Sequence, residues 1–109
     1  MAQDFERHVS RDIGTSLTEI RAAANSDDAI IAMRFANKSS STVTVDATIK
    51  NSGNSTYIIK GASIPPASSL ELIQGGSKVV IQSGDSIEAL CSAASSVDVV
   101  LSVVDAIST

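Results

Sequence analysis

Turn-forming residues divide most of the chain into short segments. After about residue 27, groups of Gly, Asn, Ser and Pro recur roughly every 8 to 12 residues, and Ser, Thr, Val and Ile dominate the stretches between them. β-branched residues favour strands, and turns at this interval are typical of β-sandwiches and jelly rolls rather than of βαβ units. The spacing therefore predicts an all-β, antiparallel β-sandwich or jelly-roll-like fold with eight or nine short strands.

Two stretches give the clearest strand signals. In residues 42–50, Val43, Val45 and Ala47 alternate with polar residues. Alternation with a period of two places one face of a strand against the core and the other in solvent. In residues 97–104, apolar side chains occur on both sides of the alternation, which predicts a central strand.

Two other stretches are less regular. Residues 29–36 are apolar at most positions. Strict alternation gives the strand two faces, one with Ile31, Met33 and Phe35 and the other with Ile30, Ala32 and Arg34. Such a pattern suits a strand covered on both sides. Residues 16–24 fit helical spacing as well as an interrupted strand, and we assign them to a strand.

Gly, Asn and Pro predict how the strands are connected. The Asn-Ser-Gly-Asn sequence of residues 51–54 predicts a tight hairpin, because Gly and Asn tolerate positive φ angles. Residues 55–60 should return as an antiparallel strand. We expect this strand to end at Gly61. The segment that follows, through Pro65 and Pro66, should form a long corner, because proline has no amide hydrogen to donate to a sheet.

The first twelve residues differ in composition from the rest of the chain. Residues 1–12 carry mixed charges, and the few apolar side chains among them include Phe5 and Val9. This predicts an N-terminal arm beside the sandwich, with residues 13–109 forming a single β-sandwich domain. A chain of 109 residues leaves room for one core.

Composition argues against several classes of partner. The formal charge is -4, the sequence pI is about 4.7, and the eight Lys and Arg are scattered, which predicts no nucleic-acid binding by a basic surface. The chain has two Phe, one Tyr and no Trp, so stacking on bases or sugars is not expected. No apolar run approaches the roughly 18 residues of a membrane span, and the polar N-terminus has no secretion signal. We therefore expect no membrane partner.

The sequence offers little for catalysis or metal binding. His8 is the only histidine and lies in the charged arm, while Cys91 is the only cysteine. A hydrolytic triad needs a base beside its nucleophile, and a zinc site needs several Cys or His. We predict no catalytic residue, no cofactor and no metal. Glu71 and Glu88 are expected at outward, solvated strand positions, and residues 75–78 (Gly-Gly-Ser-Lys) as a hairpin turn rather than a phosphate loop.

Association is the function that remains. A single Cys91 closes no internal disulfide, and a small sandwich gains stability by pairing edges or faces with copies of itself or with a partner. Lys50, Lys60 and Lys78 lie near predicted strand ends, where charge blocks unwanted edge pairing. The intended contacts should therefore lie in the arm and in the corner loops.

Four stretches together carry a resemblance to a known class of proteins. They are residues 57–65 (Tyr-Ile-Ile-Lys-Gly-Ala-Ser-Ile-Pro), residues 69–72 (Ser-Leu-Glu-Leu), residues 76–87 with Gly84-Asp85, and residues 92–99. In combination they resemble small all-β virion structural proteins of tailed bacteriophages, of the type found in phages of marine and cyanobacterial hosts. The resemblance covers residues 28–105.

The resemblance implies a non-enzymatic protein of the phage particle, made in the host cytoplasm. One implied role is a capsid decoration or cement protein that forms a homo-oligomer, with a trimer favoured. Its sandwich faces would hold the copies together, and its arm would clamp the major capsid protein through Phe5, Arg7, Val9 and Arg11. The alternatives are a neck or tail accessory protein or fibre adaptor that forms a ring, and a receptor-binding module at a tail tip.

Overall fold

Nine antiparallel strands form two sheets that pack face to face as a β-sandwich in the computed structural model, which describes residues 5–23, 27–73 and 79–104. No helix occurs in these ranges. The strands are β1 (Phe5–Ser10), β2 (Thr18–Arg21), β3 (Asp28–Asn37), β4 (Val43–Asn51), β5 (Asn54–Ile64), β6 (Ser69–Ile73), β7 (Val79–Ile81), β8 (Ser86–Cys91) and β9 (Val97–Val104).

The strand order is that of a jelly roll. One sheet has five strands in the order β1-β9-β3-β6, with β7 paired to the other half of β3, and the second sheet has the order β2-β8-β4-β5. The chain crosses between the sheets at almost every connection, and the β4–β5 hairpin is the turning point. The predicted fold class and the predicted strand number are confirmed.

Inward-facing alternate residues fill the space between the sheets. In β4, Val43, Val45 and Ala47 are buried, as the alternation predicts. In β9, the buried residues Val99 and Leu101 alternate with outward positions, and β9 lies between β1 and β3, which confirms a central strand. The largest completely buried apolar side chains are Phe35, Ile30, Met33, Ile64, Ile81, Ile87 and Leu101.

A β-bulge in β3 changes which residues reach the core. The register with β9 shifts between Ile30 and Ala32, so Ile31 is an extra residue on the β3 side. Ile30 and Met33 are both fully buried, whereas Ile31 is 38% exposed. The prediction that Ile31 shares a face with Phe35 is therefore wrong, because the bulge reverses the alternation in the middle of the strand. The prediction that the strand is covered on both sides is also wrong, because Ile31 and Arg34 are exposed on its outer face.

Glycines shape both ends of β5. Ser52 and Gly53 have φ angles of 51° and 82°, which confirms the tight hairpin before β5. Gly61 also has a positive φ of 69°, but it does not end the strand, which continues to Ile64. The Gly61 amide donates to Asp46 Oδ1 at 2.7 Å, so the distortion is accommodated inside the β4–β5 pair. The expected break at Gly61 is thus wrong.

Part of the predicted arm belongs to a sheet. Residues 5–10 form β1, an edge strand that pairs with β9 in an unbroken register from Phe5 opposite Val104 to Ser10 opposite Val99. Residues 1–4 lie outside the described residues, as does the turn predicted at residues 75–78. β2 lies within the segment 16–24 that was assigned to a strand.

At one end of the sandwich, a buried ion pair connects the two sheets. Arg21 of β2 is 3% exposed and donates to the carboxylate of Asp28 in β3, which is 1% exposed. Arg21 Nη1 also donates to the carbonyl of Asp85 at 3.0 Å, just before β8. The Asp85 carboxylate accepts hydrogen bonds from the Asn51 side chain (2.6 Å) and the Gln82 amide (3.0 Å).

At the opposite end, the buried polar group is a neutral amide. Asn37 Nδ2 donates to the carbonyls of Ser41, Ile64 and Pro65 at 2.8, 3.0 and 3.1 Å. Its Oδ1 accepts from the backbone amide of Ser39 at 3.0 Å. One buried side chain therefore connects the loop after β3 with the end of β5.

A solvent-facing charge cluster lies beside Asn37. Lys38 forms ion pairs with Asp12 and, at 3.0 Å, with Asp98 of β9. The Asp12 amide donates to Asp98 Oδ1 at 2.9 Å. This amide and the Lys38 ammonium hold the pKa of Asp98 below its ordinary value, and hydrogen bonds to the two carboxylates raise the pKa of Lys38. The cluster ties the turn after β1 to the start of β9.

Candidate functional site

Exposed apolar side chains are concentrated on the outer face of the five-stranded sheet. Six large apolar residues are exposed within the described ranges, and five of them lie in strands of this sheet. They are Phe5, Val9, Ile31, Val80 and Val100, with Tyr57 in the opposite sheet as the sixth. We call this surface the outer face of the β1 sheet.

Register places the outward residues of this face in rows that run across the strands. The first row is wholly apolar: Phe5 of β1 is opposite Val104 of β9, which is opposite Ala29 of β3, which is opposite Val80 of β7. Phe5 is 80% exposed and is the most exposed residue of the row. Outward positions that carry apolar residues on four neighbouring strands form a continuous surface rather than isolated side chains.

A shallow cavity of about 260 Å³ lies beside this row. Its floor consists of small or short side chains, Ala32 and Ser102 in one row and Val100 in the next. Arg34 and Glu71 form its wall, with Arg34 Nε donating to Glu71 Oε1 at 2.5 Å. The lining thus combines two apolar side chains and a hydroxyl with an ion pair, which suits an apolar side chain flanked by a charged one.

The outer face of the second sheet has a different character. Tyr57 of β5 is covered by the Lys60 ammonium, which lies 4.6 Å from the ring centroid and 3.9 Å from Asp46 Oδ2. The partner strand β4 shifts register twice opposite β5, and such irregularities together with a lysine discourage edge-to-edge pairing. This face therefore offers less apolar surface to a partner.

Glu88 of this second sheet is wrongly predicted as a solvated residue. It occupies an outward position of β8 opposite Thr48 and is only 8% exposed. Glu88 Oε1 accepts from the hydroxyls of Ser55 at 3.3 Å and Thr48 at 3.5 Å. Glu71 is half-buried and paired with Arg34, in the other sheet, so the two carboxylates do not share a site.

Three of the four predicted contact residues come together. Phe5, Arg7 and Val9 occupy alternate positions of β1 and point to the outer face of the β1 sheet, where Arg7 is opposite Ser102 and Val9 is opposite Val100. Arg11 follows the end of the strand and is exposed. His8 occupies an intervening position, with its Nε2 3.5 Å from Glu6 Oε1.

Residues of the cavity were not predicted as contacts, although the sequence carries a signal for one of them. Val100 is an apolar residue at an outward position of β9, in the same alternation as Asp98 and Ser102. An apolar residue on the solvent side of a strand is a recognisable sign of an interface. Ala32 and Arg34 lie two residues apart in β3, but Glu71 comes beside them only through the pairing of β3 with β6, which local sequence does not reveal.

The described residues contain no group of three or more His, Cys, Asp and Glu placed to hold a metal ion. Cys91 is fully buried, and its thiol lies 3.3 Å from the carbonyl of Ile13 and 2.9 Å from that of Ala93, both as acceptors. Within residues 5–23, 27–73 and 79–104, no helix has the length and hydropathy of a membrane span.

Comparison with protein families and with curated proteins identifies no relative. The chain matches no protein-family model, and no curated protein matches it. The arrangement of the β1 sheet is therefore the main guide to function.

Proposed function

We propose that the protein is a non-enzymatic structural subunit of a tailed-phage particle, specifically a capsid decoration protein that associates into a homotrimer. The observation that carries the association is the outer face of the β1 sheet, which holds five of the six exposed large apolar residues of the described chain. Exposed apolar surface of this continuity is typical of protein interfaces.

The assignment to a phage particle rests on the sequence resemblance, and the fold is compatible with it. Jelly rolls occur in viral capsid proteins, and also in lectins and cupins, so the fold by itself does not decide between these functions. Two residues of the resembling stretches have defined structural roles here. Gly61 makes the distortion of β5, and Asp85 accepts the hydrogen bonds that close the turn before β8. These two residues of the resembling stretches therefore serve to form the fold.

Association in this proposal uses the N-terminal strand as well as the sheet. Phe5, Arg7 and Val9 extend the outer face to its free edge, and the trimer forms through this combined surface. Arg11 lies beyond the strand and is exposed, and in this proposal it contacts the capsid shell. A ring in the neck or tail is the alternative assembly, and the number of copies distinguishes it from a trimer.

Light scattering after size exclusion, over a range of concentrations, tests the assembly. We expect a trimer that co-sediments with phage heads stripped of their accessory proteins. Val100→Glu places a charge on the outer face, so this variant should remain folded by circular dichroism but become monomeric. Tyr57→Glu is the matched control, since Tyr57 is 48% exposed and Val100 is 40% exposed, on opposite sheets. The control should remain a trimer.

Other results reject parts of the proposal. A hexamer or dodecamer that fails to bind heads favours the neck or tail ring. A wild-type protein that is monomeric and does not bind heads contradicts the decoration role.

A further inference from the structure

We propose that copies of the chain associate by insertion of the Phe5 side chain of one copy into the cavity of the neighbouring copy. The cavity is the one lined by Ala32, Arg34, Glu71, Val100 and Ser102. The inference rests on the proposed self-association and names the two surfaces that meet in it.

Size and exposure match Phe5 to the cavity. A cavity of about 150 Å³ accepts a benzene-sized ring, so one of about 260 Å³ has room for a phenylalanine side chain. Phe5 is 80% exposed and does not line the cavity of its own copy. Aromatic side chains that fill a pocket on a partner are the usual anchors of protein interfaces.

Charge complementarity supports a second copy as the occupant. Arg7 lies two residues after Phe5 on the same side of β1. When Phe5 enters the neighbouring cavity, Arg7 comes towards the wall of that cavity, where the Glu71 side chain is 33% exposed. Glu71 then lies between two guanidinium groups, Arg34 of its own copy and Arg7 of the next. An apolar side chain followed by a cation is therefore matched by the apolar lining and by the exposed part of Glu71.

Disulfide trapping between two single variants tests the inference. Phe5→Cys and Ser102→Cys proteins are mixed in equal amounts and oxidised at a concentration about 100-fold above that at which the wild type associates, because Phe5→Cys itself removes the inserted ring and weakens the contact. Cys91 is the only native cysteine and is fully buried, so the introduced thiols are the reactive ones. We expect a covalent dimer that contains one copy of each variant. The matched control mixes Tyr57→Cys with Ser102→Cys and should give little covalent dimer.

A double-mutant cycle gives an independent readout. Phe5→Ala removes the inserted ring, and Ala32→Leu fills the cavity that receives it. Each change should weaken association by about 30-fold, the loss typical of an interface anchor. The double variant should be no weaker than either single variant, because both remove the same contact. Circular dichroism checks that all three variants remain folded.

The outcomes separate this inference from the proposed function. If the wild type is oligomeric but the Phe5 and Ser102 cysteines do not cross-link, or link no better than the control, the inference is overturned while the association stands. If the two single changes weaken association additively, Phe5 and the cavity belong to separate contacts, which also overturns it. A wild type that is monomeric at every concentration contradicts this inference and the proposed trimer, and it contradicts the decoration role as well if it does not bind heads.

Discussion

The two ends of the sandwich hold their charged residues in very different surroundings. At one end, Arg21 and Asp28 form an ion pair that is almost completely removed from solvent and joins the two sheets. At the other end, Lys38 and Asp98 form a pair in contact with water, and the buried polar group there is the uncharged Asn37. Burial, more than the distance between the charges, determines how strongly the loss of one partner of each ion pair changes the free energy of unfolding.

The largest effect should come from breaking the buried pair. Arg21→Met leaves the Asp28 carboxylate buried without its guanidinium, at a cost of about 3–5 kcal/mol in the free energy of unfolding. Urea denaturation measures this loss. Arg34→Met is the matched control, because Arg34 also pairs with a carboxylate but is 58% exposed. The control should cost less than about 1 kcal/mol.

A double variant shows whether the buried charges or the buried volume matters at this end. Arg21→Met combined with Asp28→Leu removes both charges and keeps apolar volume. It should be more stable than Arg21→Met alone, because the interior no longer holds a carboxylate that has lost its guanidinium. A double variant that is less stable than the single one would show that both side chains hold the sheets together by other contacts.

An intermediate effect is expected at the uncharged end. Asn37→Ala leaves the carbonyls of Ser41, Ile64 and Pro65 without their shared donor, at a cost of about 1–3 kcal/mol. Urea denaturation measures this loss in the free energy of unfolding as well. Asn54→Ala, at the exposed start of β5, is the control and should change stability by less than about 0.5 kcal/mol. Equal losses in the two variants would remove the special role of Asn37.

The smallest effect should come from the exposed cluster. Asp98→Asn keeps an oxygen that can accept the hydrogen bond from the backbone amide of Asp12, but it removes the charge beside Lys38. The free energy of unfolding should fall by at most about 1 kcal/mol at pH 7. The variant also tests the pH dependence of this cluster.

The sign of that dependence follows from the pKa shift. Because the pKa of Asp98 is lowered in the folded protein, the folded state binds its proton less readily than the unfolded state. The stabilisation is complete above the ordinary value of 3.8 and is lost as the pH falls through the lowered pKa. The difference between wild type and Asp98→Asn, measured by urea unfolding, should therefore shrink below about pH 4. A difference that grows with acidity would contradict this.

Local sequence predicts much of the fold because alternation and turn chemistry are local properties. Val43, Val45 and Ala47 show the buried face of β4 directly, and the Ser52-Gly53 turn has the positive φ angles that its sequence predicts. The errors arise where a strand departs from regular geometry. The bulge at Ile31 is one such departure, and nothing in the neighbouring residues marks it.

The candidate site was only partly predictable for a different reason. Phe5, Arg7 and Val9 attract attention as apolar and charged residues that alternate in a short segment, and β1 does place them on one face. Their partners across the sheet, Ala32 and Val100, depend on the pairing of strands that are far apart in the chain. The buried Arg21–Asp28 pair depends on how the two sheets pack, which strand patterns alone do not determine.

The extra residue in β3 also determines which changes in chain length the strand tolerates. Deletion of Ile31 would restore simple alternation and leave both Ile30 and Met33 facing inward. Deletion of Arg34 would instead force either Met33 or Phe35 out of the interior, because each step along a strand reverses the side-chain direction. Among related sequences, a one-residue gap in this strand should therefore fall at the bulge.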